Sequence, residues 1–403
     1  MTRAGPGMTY DFDTLYDRGA TDSLKWADRK ARCGSGDAIP LWVADMDFAC
    51  PPEVARAVQA RAAHPIYGYP LRSESYYQAV CAWMERRHGW KIKPEWLVYV
   101  PGVVPALNFA VHAFTRPGDG VVIQPPVYYP FRKSILENGR RLLENPLVRR
   151  GDRYEMDLQG LKKAADSGAK LLILCSPHNP VGRVWEKREL EDLAEVCLTR
   201  DILLVSDEIH FDLVLGRQEG RRHTCAASIS EEIARRTITL TAPNKTFNIA
   251  GLTMGNAVIS DPRLREAFKA AVGGSGIEVS NVFGNVAAEA AYREGEAWLD
   301  QLLSYIEGNY RFFAEFLAEK IPEIRALPLE GTYLAWLDCT GLGLDDAALK
   351  RFFCQEARLW LDDGPKFGTG GSGFMRLNLA APRSILEESA RRLEKAVSAR
   401  RNR

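Results

Sequence analysis

In the segment "TITLTAPNKTFNIAGL" a β-branched apolar run, residues 237–242, gives way to a turn that carries Lys245. An ammonium group is costly to bury, so a lysine at a strand end needs either water or a chemical partner. An amine held in a cleft is also a nucleophile that condenses with carbonyl compounds. Four other segments place polar or turn-forming groups just after apolar runs: "PGVVPAL" (101–107), "PPVYYP" (125–130), "SPHNPVG" (176–182) and "SDEIH" (206–210). Singly, each has a plain explanation: a solvated lysine, a capping Asp207, an Asn179-Pro turn, a packing Tyr128. Five of them at one edge of a sheet point to a ligand, because open α/β sheets bind ligands outside the carboxyl ends of their strands.

The elements that would hold these groups are visible as short apolar runs separated by helix-length segments, the pattern of parallel strands joined by crossover helices. The predicted strands are 96–100, 120–124, 141–145, 170–175, 202–207, 237–242 and 255–260. Several are apolar on both faces, which places them between helix layers. Residues 186–201 have helical spacing, with acidic residues early and Arg200 late. Residues 294–321 read as one long helix leading toward a second domain, whose strands would be 332–338 and 374–380, with "GTGGSG" (368–373) as a flexible loop. Alternation in 374–380 sets Phe374, Arg376 and Asn378 on one face and Met375, Leu377 and Leu379 on the other.

Composition narrows the partners. Across 403 residues, 53 Lys and Arg nearly cancel 52 Asp and Glu, so no whole-molecule field draws the chain to nucleic acid or to an anionic membrane. The basic C-terminal "RRLEKAVSARRNR" complements a helix dipole. No stretch approaches the roughly 20 apolar residues of a membrane helix, and the N-terminus lacks a signal-peptide core. Eight cysteines without a CxxC pair or zinc-knuckle spacing suggest reduced thiols in a cytoplasm and no metal. Met8 is a second candidate start.

An amine, a carboxylate, an aromatic face and a phosphate cradle are together what pyridoxal 5′-phosphate (PLP) requires: an aldehyde for the amine, a ring nitrogen kept protonated by the carboxylate, and a phosphate for a helix N-terminus. A dinucleotide alternative fails because no G-x-G-x-x-G follows the first strand. The segments "PLWVADMDF" (40–48), "IYGYPLR" (66–72), "PGVVPALNFAVHAFTRPGDGVVIQPPVYYPF" (101–131), "SPHNPVGRVW" (176–185), "SDEIHFDLV" (206–214), "NKTFNIAGL" (244–252) and "FMRLNLAAPRS" (374–384) carry a family resemblance over nearly the whole chain. The chain resembles the fold-type I PLP enzymes of the aminotransferase class I/II superfamily, and more narrowly the MalY/PatB-type carbon–sulfur β-lyases.

The resemblance implies an α/β fold: a large PLP-binding domain (51–292) with a mostly parallel seven-stranded sheet between helix layers, and a smaller α+β domain built from 293–403 and the N-terminal segment 1–50. It makes Lys245 the residue that condenses with the cofactor and moves the α-proton, and Asp207 the partner of the ring nitrogen. Glu208 is the rival carboxylate, but alternation aims it the other way. Asn179 and His210 would face the ring oxygen and Tyr128 would stack on the ring. Gly102, Val103, Val104 and Asn244 would serve the phosphate, with Tyr69 reaching the phosphate of the neighbouring subunit in a homodimer with shared sites. Arg376, with the backbone near Ala44 and Asp45, would hold the substrate α-carboxylate. Two positions depart from the family: Asn244 stands where serine is usual, and Thr253 where many relatives have an arginine, which leaves more of the phosphate binding to backbone amides, Thr241 or Asn244, and Tyr69.

The implied reaction is β-lysis of L-cystathionine or an S-substituted L-cysteine to a thiol, pyruvate and ammonia. An aminotransferase acting with a 2-oxo acid is the alternative on the same scaffold, and a PLP-binding protein with a regulatory role is a third. Intact Lys245, Asp207, Asn179 and Arg376 argue against the last.

Overall fold

The computed structural model describes residues 9–402, so the candidate start at Met8 lies outside the described residues. Seven strands form the main sheet: β1 (Leu97–Val100), β2 (Gly120–Ile123), β3 (Arg141–Glu144), β4 (Ala169–Cys175), β5 (Leu203–Asp207), β6 (Thr237–Thr241) and β7 (Gly255–Val258). Their order is β1-β7-β6-β5-β4-β2-β3. Only β7 runs antiparallel to its neighbours β1 and β6; the other pairings are parallel. An antiparallel strand between β1 and β6 leaves those two pointing the same way, so β1, β4, β5 and β6 all end on one edge.

Side-chain alternation decides what each face covers. Leu171 and Ile173 join Val121, Val205 and Leu240 in one buried cluster, while Leu172 and Leu174 join Leu204, Leu190 and Leu193 in another. Two apolar faces require a helix layer on each side, which explains why these strands read as continuous apolar runs. Helix α1 (Val103–Phe114) follows β1 directly, and α2 (Lys187–Thr199) opens on a capping box between Glu186 and Glu189.

The long helix α3 (Glu296–Lys320) is separated from a preceding helix, Val282–Glu294, at Gly295. A Cβ there would lie 2.6 Å from the Ala291 carbonyl oxygen and from the Phe247 ring, so the junction admits only glycine without rearrangement. Beyond α3 a four-stranded antiparallel sheet contains β8 (Arg325–Ala326), β9 (Leu334–Asp338), β10 (Asp362–Asp363) and β11 (Phe374–Asn378), in the order β8-β9-β11-β10. The stretch 368–373, expected to be a flexible loop, is instead folded as turns. Gly371 N–H donates to Gly368 at 3.0 Å, and a Cβ on Gly371 would sit 2.0 Å from the Gly364 carbonyl oxygen. Its glycines serve close packing as well as turn geometry.

The N-terminal part joins this second sheet region. Ile39–Pro40 pairs in parallel with Leu359–Trp360, and Trp42 stacks on Trp360 at 4.7 Å. From there residues 42–48 run as an irregular strap across to the turn that carries Lys245.

Candidate active site

Asp207 closes β5, fully buried, and its carboxylate accepts the Ile209 N–H at 3.1 Å. Burial pushes its pKa up to about 7; the Ile209 bond and Lys245 oppose this, and the charge of Glu208 adds to it. A buried carboxylate in that state awaits a cation. Glu208 points elsewhere, as alternation requires: it takes His223 Nε2 at 2.9 Å, Ser206 Oγ at 2.8 Å and the Ala226 N–H at 2.9 Å. Burial opposes ionisation of Glu208 as well, yet His223 and these bonds hold its pKa below the ordinary value.

Lys245 stands on a single helical turn, Pro243–Thr246, that follows β6. Its ammonium donates to the Ala44 carbonyl, which also accepts the Tyr333 hydroxyl at 2.9 Å. Burial lowers its pKa to about 8, against the attraction of Asp45 and with the help of Arg376. Near neutral pH a useful fraction of the amine is therefore unprotonated and nucleophilic.

Around these two groups lies a cleft of about 220 Å³. Gly102, Val103 and Val104 line it at the start of α1, a helix whose first turn has no acidic residue. The opening N–H groups of a helix lack intrahelical acceptors and favour an anion. Tyr128, Asn179, His210 and Asn244 complete the wall together with Ala44, and Cys175, Ile209 and Ala250 belong to it although sequence reasoning did not single them out. Burial raises the pKa of Tyr128 and drives that of His210 well below its ordinary value, so His210 is neutral. His210 Nδ1 and Asn244 Oδ1 are buried without a hydrogen-bond partner among the described residues.

These features fit PLP: an anion site at a helix start, a carboxylate lacking a cation, a partly neutral amine, and buried polar atoms lacking partners. Phosphate, pyridine nitrogen and aldehyde answer the first three in turn.

On the opposite wall, all five residues of β11 are buried, Arg376 included. Strand alternation suggests a half-polar face there, but the strap and β10 cover it. Arg376 Nη1 donates to Asn179 Oδ1 at 2.9 Å, and Nη2 to the Trp42 carbonyl at 2.7 Å and to Asp362 Oδ2 at 2.6 Å. Its Nε is buried and has no hydrogen-bond partner among the described residues. Asp362 was missed by sequence reasoning because nothing in "LDDGP" distinguishes a partner of a buried arginine from a turn residue.

The strap that presents Ala44 and Asp45 is held by side chains distant in sequence. Asn378 Nδ2 donates to the Val43 and Asp45 carbonyls, both at 2.8 Å. Asn248 accepts the Met46 N–H at 2.9 Å and donates to the Phe48 carbonyl at 2.8 Å. Lys25, fully buried, pairs with Asp47 at 2.7 Å, and Arg18 bonds to both Asp45 and Asp47.

Tyr69 is not at this cleft within its own chain. It is 92% exposed on an apolar stretch with Ile66, Tyr67 and Leu71. Thr253 adopts a left-handed conformation, φ 50°, and does not line the cleft.

Comparison with known proteins agrees with the geometry. The family model for aminotransferase class I and II matches residues 37–393. Cystathionine β-lyase PatB of Bacillus subtilis is 43% identical, over 96% of this chain and 100% of that protein. Protein MalY of Escherichia coli is 33% identical, over 97% and 99%. Among solved structures, cystalysin of Treponema denticola, which contains a pyridoxal 5′-phosphate cofactor, superposes with a TM-score of 0.94 at 42% identity, covering 97% of this chain and 100% of the other. The PLP-bound C–S lyase of Staphylococcus hominis gives a TM-score of 0.90 at 30% identity, covering 98% and 99%. With its seven-stranded sheet and its likeness to these proteins along nearly its whole length, the chain belongs to the aminotransferase class I and II family, in the branch that includes PatB and MalY.

Proposed function

We propose that this chain is a PLP-dependent carbon–sulfur β-lyase that converts L-cystathionine or S-substituted L-cysteines, with one water, into a thiol, pyruvate and ammonium. The observation that carries the proposal is the meeting, in one cleft, of an amine with its pKa near 8, a buried carboxylate with no ion pair among the described residues, and a helix start with no acidic residue in its first turn. When bound, PLP supplies an aldehyde for amines to add to and a ring that takes up the electron pair left when the α-proton departs.

The remaining work falls to the chain itself. Asp207 keeps a proton on the ring nitrogen; a cation beside it returns the carboxylate to its charged form and stabilises both partners. Asn179 offers its NH₂ to the ring oxygen, since its carbonyl oxygen is taken by Arg376. His210, neutral, and Tyr128 both line the cleft, where His210 would face the ring oxygen and Tyr128 would cover the ring. Gly102, Val103, Val104 and Asn244 hold the phosphate at the α1 terminus, which suits a site without the arginine replaced by Thr253. Arg376 binds the substrate α-carboxylate through its guanidinium, next to the Ala44–Asp45 backbone. Lys245 takes the proton from Cα as a neutral amine. Loss of the β-thiolate then follows from the electron pair left on the substrate.

The exposed stretch around Tyr69 supports a homodimer in which Tyr69 enters the partner's cleft. Eight free cysteines support a cytoplasmic setting; among the described residues no helix is long and apolar enough to cross a membrane.

The deciding experiment incubates the purified holoenzyme with L-cystathionine and S-methyl-L-cysteine without any 2-oxo acid. Pyruvate and thiol should appear in equal amounts. Turnover that requires an added 2-oxo acid would make the chain an aminotransferase instead.

A further inference from the structure

We infer that Asp212 is a positioning residue: through the hydroxyl of Thr246 it ties the segment carrying Asp207 and His210 to the turn carrying Lys245. The inference rests on the roles proposed above for Asp207 and Lys245.

Strands β5 and β6 are neighbours, and their ladder fixes the spacing of everything attached to them only as far as it runs. Among the described residues, the last backbone hydrogen bond between the two stretches is from Glu208 N–H to the Leu240 carbonyl, at 2.9 Å. Asp207 sits at that limit; Lys245 lies five residues beyond Leu240. The turn Pro243–Thr246 is too short to be stable alone; its own backbone bonds, Phe247 N–H to the Pro243 carbonyl at 2.9 Å and Ile249 N–H to the Asn244 carbonyl at 3.1 Å, do not reach β5. What holds the turn against the β5 side is a side chain: Thr246 Oγ1 donates to Asp212 Oδ2 at 2.8 Å, both residues being fully buried.

Asp212 is itself fixed. Its other oxygen accepts Trp83 Nε1 at 2.9 Å and His88 Nε2 at 2.8 Å. Burial lowers the pKa of His88, against its bond to Asp212, so the imidazole is neutral and gives a single N–H. Phe211 stacks on that ring at 4.5 Å, and the His223 ring, which pairs with Glu208, stands edge-on to it at 5.7 Å. Three donors converge on one acceptor-only group, an arrangement that an amide would disturb by setting N–H against N–H. Thr246 is thus docked onto a platform that includes Trp83 and His88 of the helix Glu74–His88, and Lys245 is carried with it.

Two substitutions at Thr246 and two rates test this. Thr246→Val keeps the shape and removes the donor; Thr246→Ser keeps the donor. The first rate is pyruvate release per cofactor-loaded site. The second is exchange of the α-hydrogen of L-alanine in deuterated water, which needs the cofactor and Lys245 but no leaving group. Thr246→Val should lower kcat at least tenfold with KM within twofold, and lower the exchange rate by the same factor, whereas Thr246→Ser stays within twofold of wild type in both. A kcat per loaded site within twofold of wild type in Thr246→Val, or equal losses in Val and Ser, would overturn the inference. If the wild type exchanges the α-hydrogen but releases no pyruvate, the lyase assignment fails, while the Val and Ser comparison on exchange still decides the role of Asp212.

Discussion

Replacing Asp207 by asparagine separates the two things this carboxylate does: it burdens the protein before the cofactor binds and serves it afterwards. In the cofactor-free protein, burial raises its pKa from the ordinary 3.8 to about 7. A carboxyl that binds its proton more tightly when folded leaves the native state with more bound protons than the unfolded chain between those two pH values. Stability therefore falls as pH rises through that window and levels off above it. A gap of about three pH units at 1.36 kcal/mol each amounts to about 4 kcal/mol at pH 8. Asparagine does not titrate, so this loss is absent from the variant. Urea unfolding of both cofactor-free proteins at pH 4.5 and pH 8 should show the variant gaining on the wild type as pH rises, until it is the more stable of the two at pH 8. The holoenzymes should rank the other way in activity: without a carboxylate to keep the ring nitrogen charged, kcat should drop by a factor of about 100 or more, a few kcal/mol of transition-state stabilisation. A difference in stability that does not change with pH would refute the claim that Asp207 is a desolvated carboxylate waiting for a cation.

Reconstitution should follow the ionisation of Lys245: with its pKa lowered to about 8, the rate at which PLP enters the cofactor-free protein should climb as pH rises toward 8 and flatten above, and a flat profile from pH 6 to 9 would remove the amine as the limiting nucleophile. Arg376→Lys keeps the charge but not the planar fork that spans Asn179, Trp42 and Asp362, so KM for S-methyl-L-cysteine should rise by about 10- to 100-fold, worth about 1.5–3 kcal/mol, as titrations of initial rate would show. Lys245→Ala and Tyr69→Ala should each be impaired alone, yet unfolding and refolding them as a mixture should regenerate activity that neither parent has, because a shared-site dimer pairs the intact lysine of one chain with the intact tyrosine of the other; additivity of the two residual rates would argue for self-contained sites.

How far the sequence reached is set by the kind of force that places each residue. All seven strands of the main sheet end within two residues of the apolar runs that announced them: the central strands pack their apolar side chains into buried clusters, so the pattern of burial is the pattern of composition, and even the half-exposed edge strand β3 sets Leu142 against one cluster and Leu143 against another. Groups fixed by those strand ends, such as Asp207 and Asn179, were accordingly traceable to one edge. Polar burial leaves no such local trace. Lys25, Asp212, Asp362 and Tyr333 look in the sequence like surface charges, a turn residue and an apolar strand position, and only folding shows each to be completing another residue's hydrogen bonds. The strap at 42–48 makes the same point on a larger scale. It has no regular structure to be recognised by periodicity, and its shape is imposed by Asn248, Asn378 and Tyr333, roughly 200 to 330 residues away. Yet it touches both chemical halves of the cleft at once: the Ala44 carbonyl receives Lys245, and the Trp42 carbonyl receives Arg376. The amine that would move the proton and the arginine that would hold the carboxylate come from different sheets. Their relative placement is therefore set less by either sheet than by a short irregular segment whose peptide groups are bonded from both sides.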